Sequence, residues 1–310
     1  MPSDGLHPVP SGVEMVRRQG KLCKDEIRAA YLLILPATLG LLVFSIYPIL
    51  ATIRTSFSNV STLSLKYTPV GFANYQEAFQ DKTFLIAVGN TLLYTVIVAL
   101  MQVLLALAMA MVLKTAFSGV GIFRTAFFLP GVTSLVVVST VWKIMYHSDI
   151  GIINNFLRLV NLAPVNWLTS PNVALWSIII VGVWKEVGFS MLVLLGGLNY
   201  IPGDFYEAAA IDGASGWRSF WSITLPLLRR SLLFVSVLAT VNAIKVFIPI
   251  YMLTQGGPAN STQTLVYYIY QTVFSYFKLG YGSSLSILLL FLVGGLVVVQ
   301  FRLLRTDVEY

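Results

Sequence analysis

The chain has 310 residues, of which 57% are hydrophobic and 11% charged, with a net charge of +7 and a mean hydropathy of +0.80. Length alone suits about two soluble domains, but that much apolar surface excludes a water-facing globule. The lysines and arginines lie at the ends of apolar runs, a pattern of membrane orientation rather than of nucleic-acid binding. The fold class expected is an all-α polytopic membrane protein.

Residues 1–27 form a polar tail with Pro2, Pro8 and Pro10, then Arg17, Arg18, Lys21 and Lys24. Its first half has the composition of disorder, and it shows no cleavable signal peptide. The remainder, 28–310, holds six apolar runs long enough to span a bilayer. Span one covers about 29–50, with Pro36 and Pro48 as expected kinks. A mixed loop leads to span two at 85–113, and a short basic turn leads to span three at 123–146, which contains Pro130-Gly131. A loop with a short surface helix at 152–162 precedes span four at 173–195. Span five is expected at 231–253. A semi-polar stretch rich in glycine and tyrosine follows, and then span six at 284–304.

One polar stretch interrupts this series, 198–230. It holds Asp204, Glu207, Asp212, Arg218, Arg229 and Arg230. The run from Glu207 through Ala208 and Ala209 is a strong helix former. Gly213 interrupts it, and a second helical run follows and stops at Pro226. The pattern is helix–turn–helix. It is either a solvated loop or a docking site. Tail, second loop, fourth loop and C-terminus carry twelve lysines and arginines, against five in the other loops. By the positive-inside rule both termini and the Glu207 loop are cytoplasmic.

Enzymatic chemistry has little support. The sequence holds no G-x-x-x-x-G-K-[ST] and no H-E-x-x-H. Its single cysteine, Cys23, and its two histidines, His7 and His147, stand in the tail and a loop, so neither an intrachain disulfide nor a cysteine metal cluster can form. Charges inside spans are the better lead, because each costs about 2.5–3.5 kcal/mol at mid-membrane. Lys185 and Glu186 fall near the middle of span four and Lys245 in the outer half of span five. Lys143, at the outer end of span three, can snorkel. Lys185 and Glu186 either pair with another span or subunit, or line a solute cavity. Trp184, Phe189, Asn242, Phe247 and Tyr251 lie near them in sequence. Aromatic faces with amides suit a sugar ring, and they equally suit ordinary helix packing.

The stretch 207–226 resembles the EAA loop of permease subunits in binding-protein-dependent ABC importers. That pattern is Glu-Ala-Ala, three residues, Gly, then Ile-x-Leu-Pro; Glu207, Ala208, Ala209, Gly213, Ile223, Leu225 and Pro226 fit it. Asn90-Thr91, the F-F-L-P ending at Pro130, Gly151 with Asn154, and L-T-Q-G-G-P ending at Pro258 before Ser261-Thr262 resemble the sugar-type branch. That branch includes the maltose, lactose and glycerol-3-phosphate permeases. Ile248 stands where the family carries an acidic residue after the phenylalanine of span five.

The resemblance implies a six-helix type I importer permease in a bacterial or archaeal cytoplasmic membrane. It implies four kinds of partner: a second homologous permease, two cytoplasmic ATPase subunits that bind ATP and magnesium, a periplasmic or lipid-anchored binding protein, and a sugar substrate. This chain itself would hold no cofactor and no metal. Glu207, Ala208, Ala209, Asp212, Gly213, Leu225 and Pro226 would couple to the ATPase. The path for a di- or oligosaccharide would pass Trp184, Lys185, Glu186, Phe189, Asn242, Lys245, Phe247 and Tyr251. Glycerol-3-phosphate or a phosphodiester is the alternative substrate, and an ion-coupled secondary transporter the remote alternative.

Overall fold

The computed structural model describes residues 12–63, 66–115 and 119–304. The stretch expected to be disordered lies mostly in residues 1–11, outside the described residues. The chain forms two compact units, 1–54 and 55–310. In the first, a helix runs from Gly12 to Leu41, so helical structure begins well inside the expected tail. Past Pro10 no proline intervenes before Pro36, and most residues there are good helix formers.

Pro48 does not simply kink this helix. A π-turn at Leu42–Ile46 precedes it, closed by the Tyr47 N–H donating to the Leu42 carbonyl. Proline has no N–H to offer the carbonyl four residues back, and the wider turn adjusts the register just ahead of it. The same device recurs at Phe220–Thr224, closed by Leu225 N–H onto Phe220 and followed by Pro226. Pro226 therefore opens the next turn, Leu225–Leu227, instead of ending a helix as its position suggests.

In the second unit, span two is the helix Lys82–Lys114, span four Ala174–Asn199 and span six Leu279–Leu304. Spans two and four share the main core. Ala87, Ala106 and Ala110 of span two are fully buried, and small residues let helix backbones approach closely in lipid. Span three is not one helix. It divides into Val120–Val132 and Leu135–Met145, bent by 99°. Pro130 removes one helical hydrogen bond, and Thr133 and Ser134 are extended. Span five also breaks, into Arg229–Ile244 and Ile248–Leu253. Pro249 cannot donate to the carbonyl of Lys245, and the backbone leaves the helix at Lys245–Phe247. Five described helices are long and apolar enough to cross a membrane, and the bent pair makes a sixth crossing if counted as one.

Polar knots fix the loops at the end opposite 198–230. Buried Asn154 donates to the carbonyls of Ser148 and Val165 and accepts from Val165 N–H and Trp167 Nε1. Asn90 donates to the carbonyls of Asn260 and Gln263, each at 3.0 Å, and the Thr91 hydroxyl accepts from Leu265 N–H at 2.8 Å. Two signatures about 170 residues apart, Asn90-Thr91 and the Gly-Gly-Pro loop, are thus one contact.

Asp81, just before span two, caps it by accepting from Thr83 N–H at 2.8 Å, and takes the hydroxyls of Tyr268 and, at 2.9 Å, Tyr281. Burial works to raise the Asp81 pKa, but these hydrogen bonds together outweigh it and hold the carboxyl below the usual range. A carboxyl with a lowered native pKa stabilises the fold fully above its ordinary value of about 4, and that contribution is lost as pH falls through the lower native value. Asp81→Asn is therefore expected to lower the thermal midpoint at neutral pH and to converge on the wild type in acid. Thermal unfolding across pH checks this; a difference constant at every pH contradicts it.

Candidate transport cavity and docking loop

Both interrupted spans open onto one cavity of ≈ 280 Å³. Its wall includes Gln102 of span two, Leu135 at the start of the second half of span three, Lys185 and Glu186 of span four, and Asn242, Ala243 and Lys245 through Pro249 around the break of span five. Irregular backbone at membrane depth is tolerated where it is buried in protein or lines a cavity. Among the expected path residues, Lys185, Glu186, Asn242, Lys245 and Phe247 come together here. Trp184, Phe189 and Tyr251 do not line the cavity. Trp184 packs edge-on against Trp142 at 5.6 Å, and Tyr251 stacks on Phe247 at 5.6 Å. Gln102 and Tyr94 line the cavity without having been anticipated. Gln102, hydrogen-bonded to Ser190 Oγ at 2.7 Å, was visible as a lone amide in an apolar run.

The basic side chains have unequal roles. Lys185 is buried and donates to the Gly131 carbonyl at 2.6 Å, with Glu186 at 3.9 Å. The break after Val132 frees that carbonyl, and an ammonium at a helix C-terminus also meets the negative end of the dipole. Arg124 does the same for Leu113 at the end of span two, at 2.7 Å. Lys143 does it for Met252 at 3.0 Å and so does not snorkel free. Lys185 thus reaches another span, there capping a helix end rather than meeting a carboxylate, and it also stands on the cavity wall. Lys245 is exposed, and among the described residues no hydrogen bond or ion pair engages it.

At the other end of span four, the helix Asp204–Ile211 carries Asp204 and Glu207 in its first turn, where carboxylates complement the helix dipole. It ends in a Schellman motif: Ala214 N–H donates to Ala209 at 2.9 Å and Gly213 N–H to Ala210 at 3.1 Å. Gly213 has φ +72°, and a Cβ there would meet nothing within 4 Å. Within this chain the glycine serves the left-handed turn rather than a close approach. Ser215 caps the next helix, Gly216–Ser219, by accepting from Arg218 N–H. Tyr206 fastens the pair to the rest, bonding Thr224 Oγ1 at 3.0 Å beneath the Lys114 ammonium, 4.5 Å from its ring.

Glu207, Ala208 and Asp212 face outward, Ala209 is half-buried, and Leu225 and Pro226 are partly covered. Beside them Ile211 is 87% exposed and Trp217 72%. A larger cavity of ≈ 590 Å³ lies between the end of span four and Leu227–Ser231. Its lining is mostly apolar and holds none of the expected path residues.

A bundle with two interrupted spans around a cavity that carries charged and amide groups, and a helix–turn–helix at one end, fits a multi-pass transport permease. The chain belongs to the family described as binding-protein-dependent transport system inner membrane component, whose model matches residues 84–304. It is 35% identical over 288 residues to the trehalose/maltose transport system permease protein MalF of Thermococcus litoralis, covering 92% of this chain and 96% of that one. It is 35% identical over 283 residues to the lactose transport system permease protein LacF of Rhizobium radiobacter, covering 89% and 93%. A crystal structure of a bacterial ABC transporter importing the acidic polysaccharide alginate contains a chain that matches with TM-score 0.78 at 25% identity, covering 93% of this chain and 100% of that one. The chain is an inner-membrane permease component of a binding-protein-dependent ABC importer, with the type I permease fold.

Proposed function

We propose that this permease carries a di- or oligosaccharide into the cytoplasm, driven by ATP hydrolysis in partner subunits. One observation carries the reading: the breaks of spans three and five open onto a single cavity that joins the ring of Phe247 to the amide of Asn242 and the charged groups of Glu186 and Lys245. A sugar needs a ring face for its C–H surface and donors and acceptors for its hydroxyls. The relatives named for trehalose/maltose, lactose and arabinooligosaccharides support the same substrate class. Glycerol-3-phosphate loses one of its two supporting cations, because the Gly131 carbonyl holds Lys185.

The loop 198–230 is the docking site for an ATPase subunit. Exposed Ile211 and Trp217 beside Glu207 form an apolar and acidic surface, which a merely wet loop does not need. ATP and magnesium belong to two such subunits, since this chain carries no P-loop. A second homologous permease completes the pathway, and a periplasmic or lipid-anchored binding protein delivers the sugar. The distribution of lysine and arginine supports a cytoplasmic side for both termini and the docking loop.

Calorimetric titration of a saccharide panel, with glycerol-3-phosphate included, against the cognate binding protein tests the substrate class. Neutral di- or oligosaccharides are expected to bind in the micromolar range or tighter, about −8 kcal/mol. Binding of phosphorylated polyols alone would overturn it.

A further inference from the structure

Four aromatic rings run from the cavity toward the end of the bundle opposite the docking loop. Phe247, on the cavity wall, stacks on Tyr251 at 5.6 Å and meets Tyr270 at 5.1 Å. Tyr251 meets Tyr270 edge-on at 5.8 Å, and Tyr270 touches Phe274 at 5.3 Å. The outermost ring is the most exposed. Phe247 and Tyr270 are half-buried, Tyr251 is 40% exposed and Phe274 is 64% exposed. Tyr267, Tyr270 and Phe274 fall three and four residues apart across the helix Leu265–Tyr270 and the π-turn Gln271–Ser275, so they share one face.

A bare row of rings would suit acyl chains equally well. The tyrosine hydroxyls of this row do not. Buried Tyr267 stacks on Tyr270 at 6.3 Å, and its hydroxyl accepts from Gln271 Nε2 at 3.3 Å. Gln271 Oε1 in turn accepts from Gln263 Nε2 at 2.5 Å. Those amides and the Tyr267 hydroxyl satisfy one another, but among the described residues no hydrogen bond engages the hydroxyls of Tyr251 and Tyr270 in the row itself. Hydrocarbon gives such groups nothing to bond, whereas a saccharide presents both C–H faces and hydroxyls. The row is also continuous, through Phe247, with the cavity that holds Asn242, Glu186 and Lys245.

We infer that Phe247, Tyr251, Tyr270 and Phe274 form an extended saccharide subsite, which holds further sugar rings of a chain while its leading ring occupies the cavity. This rests on the sugar reading above and adds a prediction that the reading alone does not make: the permease itself discriminates by chain length. Tyr270 and Phe274 serve the longer substrates and leave the shortest indifferent.

The test uses the whole complex, with both permeases, the ATPase subunits and the binding protein, in proteoliposomes. Initial uptake is measured over a chain-length series of neutral oligosaccharides from the disaccharide upward. Truncating a well-packed aromatic contact removes more than about 1 kcal/mol of binding. Tyr270→Ala and Phe274→Ala are therefore expected to reduce uptake of the longest substrate about tenfold more than uptake of the shortest. Tyr270→Phe, which keeps the ring, is expected to retain the wild-type profile, and ATPase stimulation by loaded binding protein is expected to persist in all three. A loss equal at every length overturns the inference and leaves the sugar reading standing. Dissociation of the second permease from the alanine variants also overturns it, by making the rings a subunit contact. If the wild-type complex imports no saccharide of any length, both fall together.

Discussion

Glu207→Lys is expected to leave the permease inserted and folded while abolishing ATP-driven uptake. Glu207 is exposed in the first turn of the Asp204–Ile211 helix, so reversing its charge removes no buried contact within this chain. It loses a favourable term with the helix dipole of about 0.3–1 kcal/mol, too little to unfold the bundle. At a docked interface the same change places like charges together and costs several kcal/mol, about a hundredfold or more in association. Gly213→Asp tests the same surface from the turn. Aspartate is among the few residues that tolerate the left-handed region, and a Cβ there has open space. The Schellman turn therefore persists while a new carboxylate stands on the docking face. Both variants should express and purify with the second permease, yet ATP hydrolysis should no longer drive uptake in either. Undiminished uptake in both removes the docking assignment.

The second large effect is structural and falls on the contact between spans three and four. Gly188 lies where a Cβ would stand 1.9 Å from the Phe127 carbonyl oxygen, so the two backbones touch. Gly188→Val must push the first half of span three away from span four. Overpacking in a tight core costs about 1–3 kcal/mol, occasionally more, and here the obstacle is backbone, which cannot swing aside. The same displacement draws the Gly131 carbonyl off Lys185 and opens the cavity wall. Purified Gly188→Val is expected to lose several degrees of thermal midpoint, and transport with it. Lys185→Met removes the ammonium and leaves that carbonyl without its donor, worth about 1–3 kcal/mol, with no backbone displaced, so it separates the cap from the packing. A thermal midpoint unchanged in Gly188→Val contradicts this arrangement.

The sequence made the spans legible because hydrocarbon thickness demands long apolar runs, and the docking loop legible because its charges stand out from them. The interruptions within spans were harder to read. Pro130 and Pro249 were visible, but where a helix breaks depends on which neighbouring carbonyls find other donors. Lys185 caps Gly131, 54 residues away, and Lys143 caps Met252, 109 away. No local pattern links such pairs, so the lysines looked like ions in search of a counter-ion. The cavity was legible only in part, for the same reason. Glu186, Asn242 and Lys245 were marked by being polar in spans, and they do meet. Trp184 was marked by adjacency, yet neighbours on a helix point about 100° apart, which turned it off the cavity; Phe189, a full turn beyond Lys185, is not on the wall either. Asn154 and Asp81 lay in loops, where polar residues are unremarkable until their partners are known.

The most direct measurement is uptake of a radiolabelled saccharide into proteoliposomes holding this permease with its partner permease, ATPase subunits and loaded binding protein. Accumulation is expected only when ATP is supplied on the side of the docking loop and the binding protein on the other. Accumulation without ATP, driven by an ion gradient, would contradict the account.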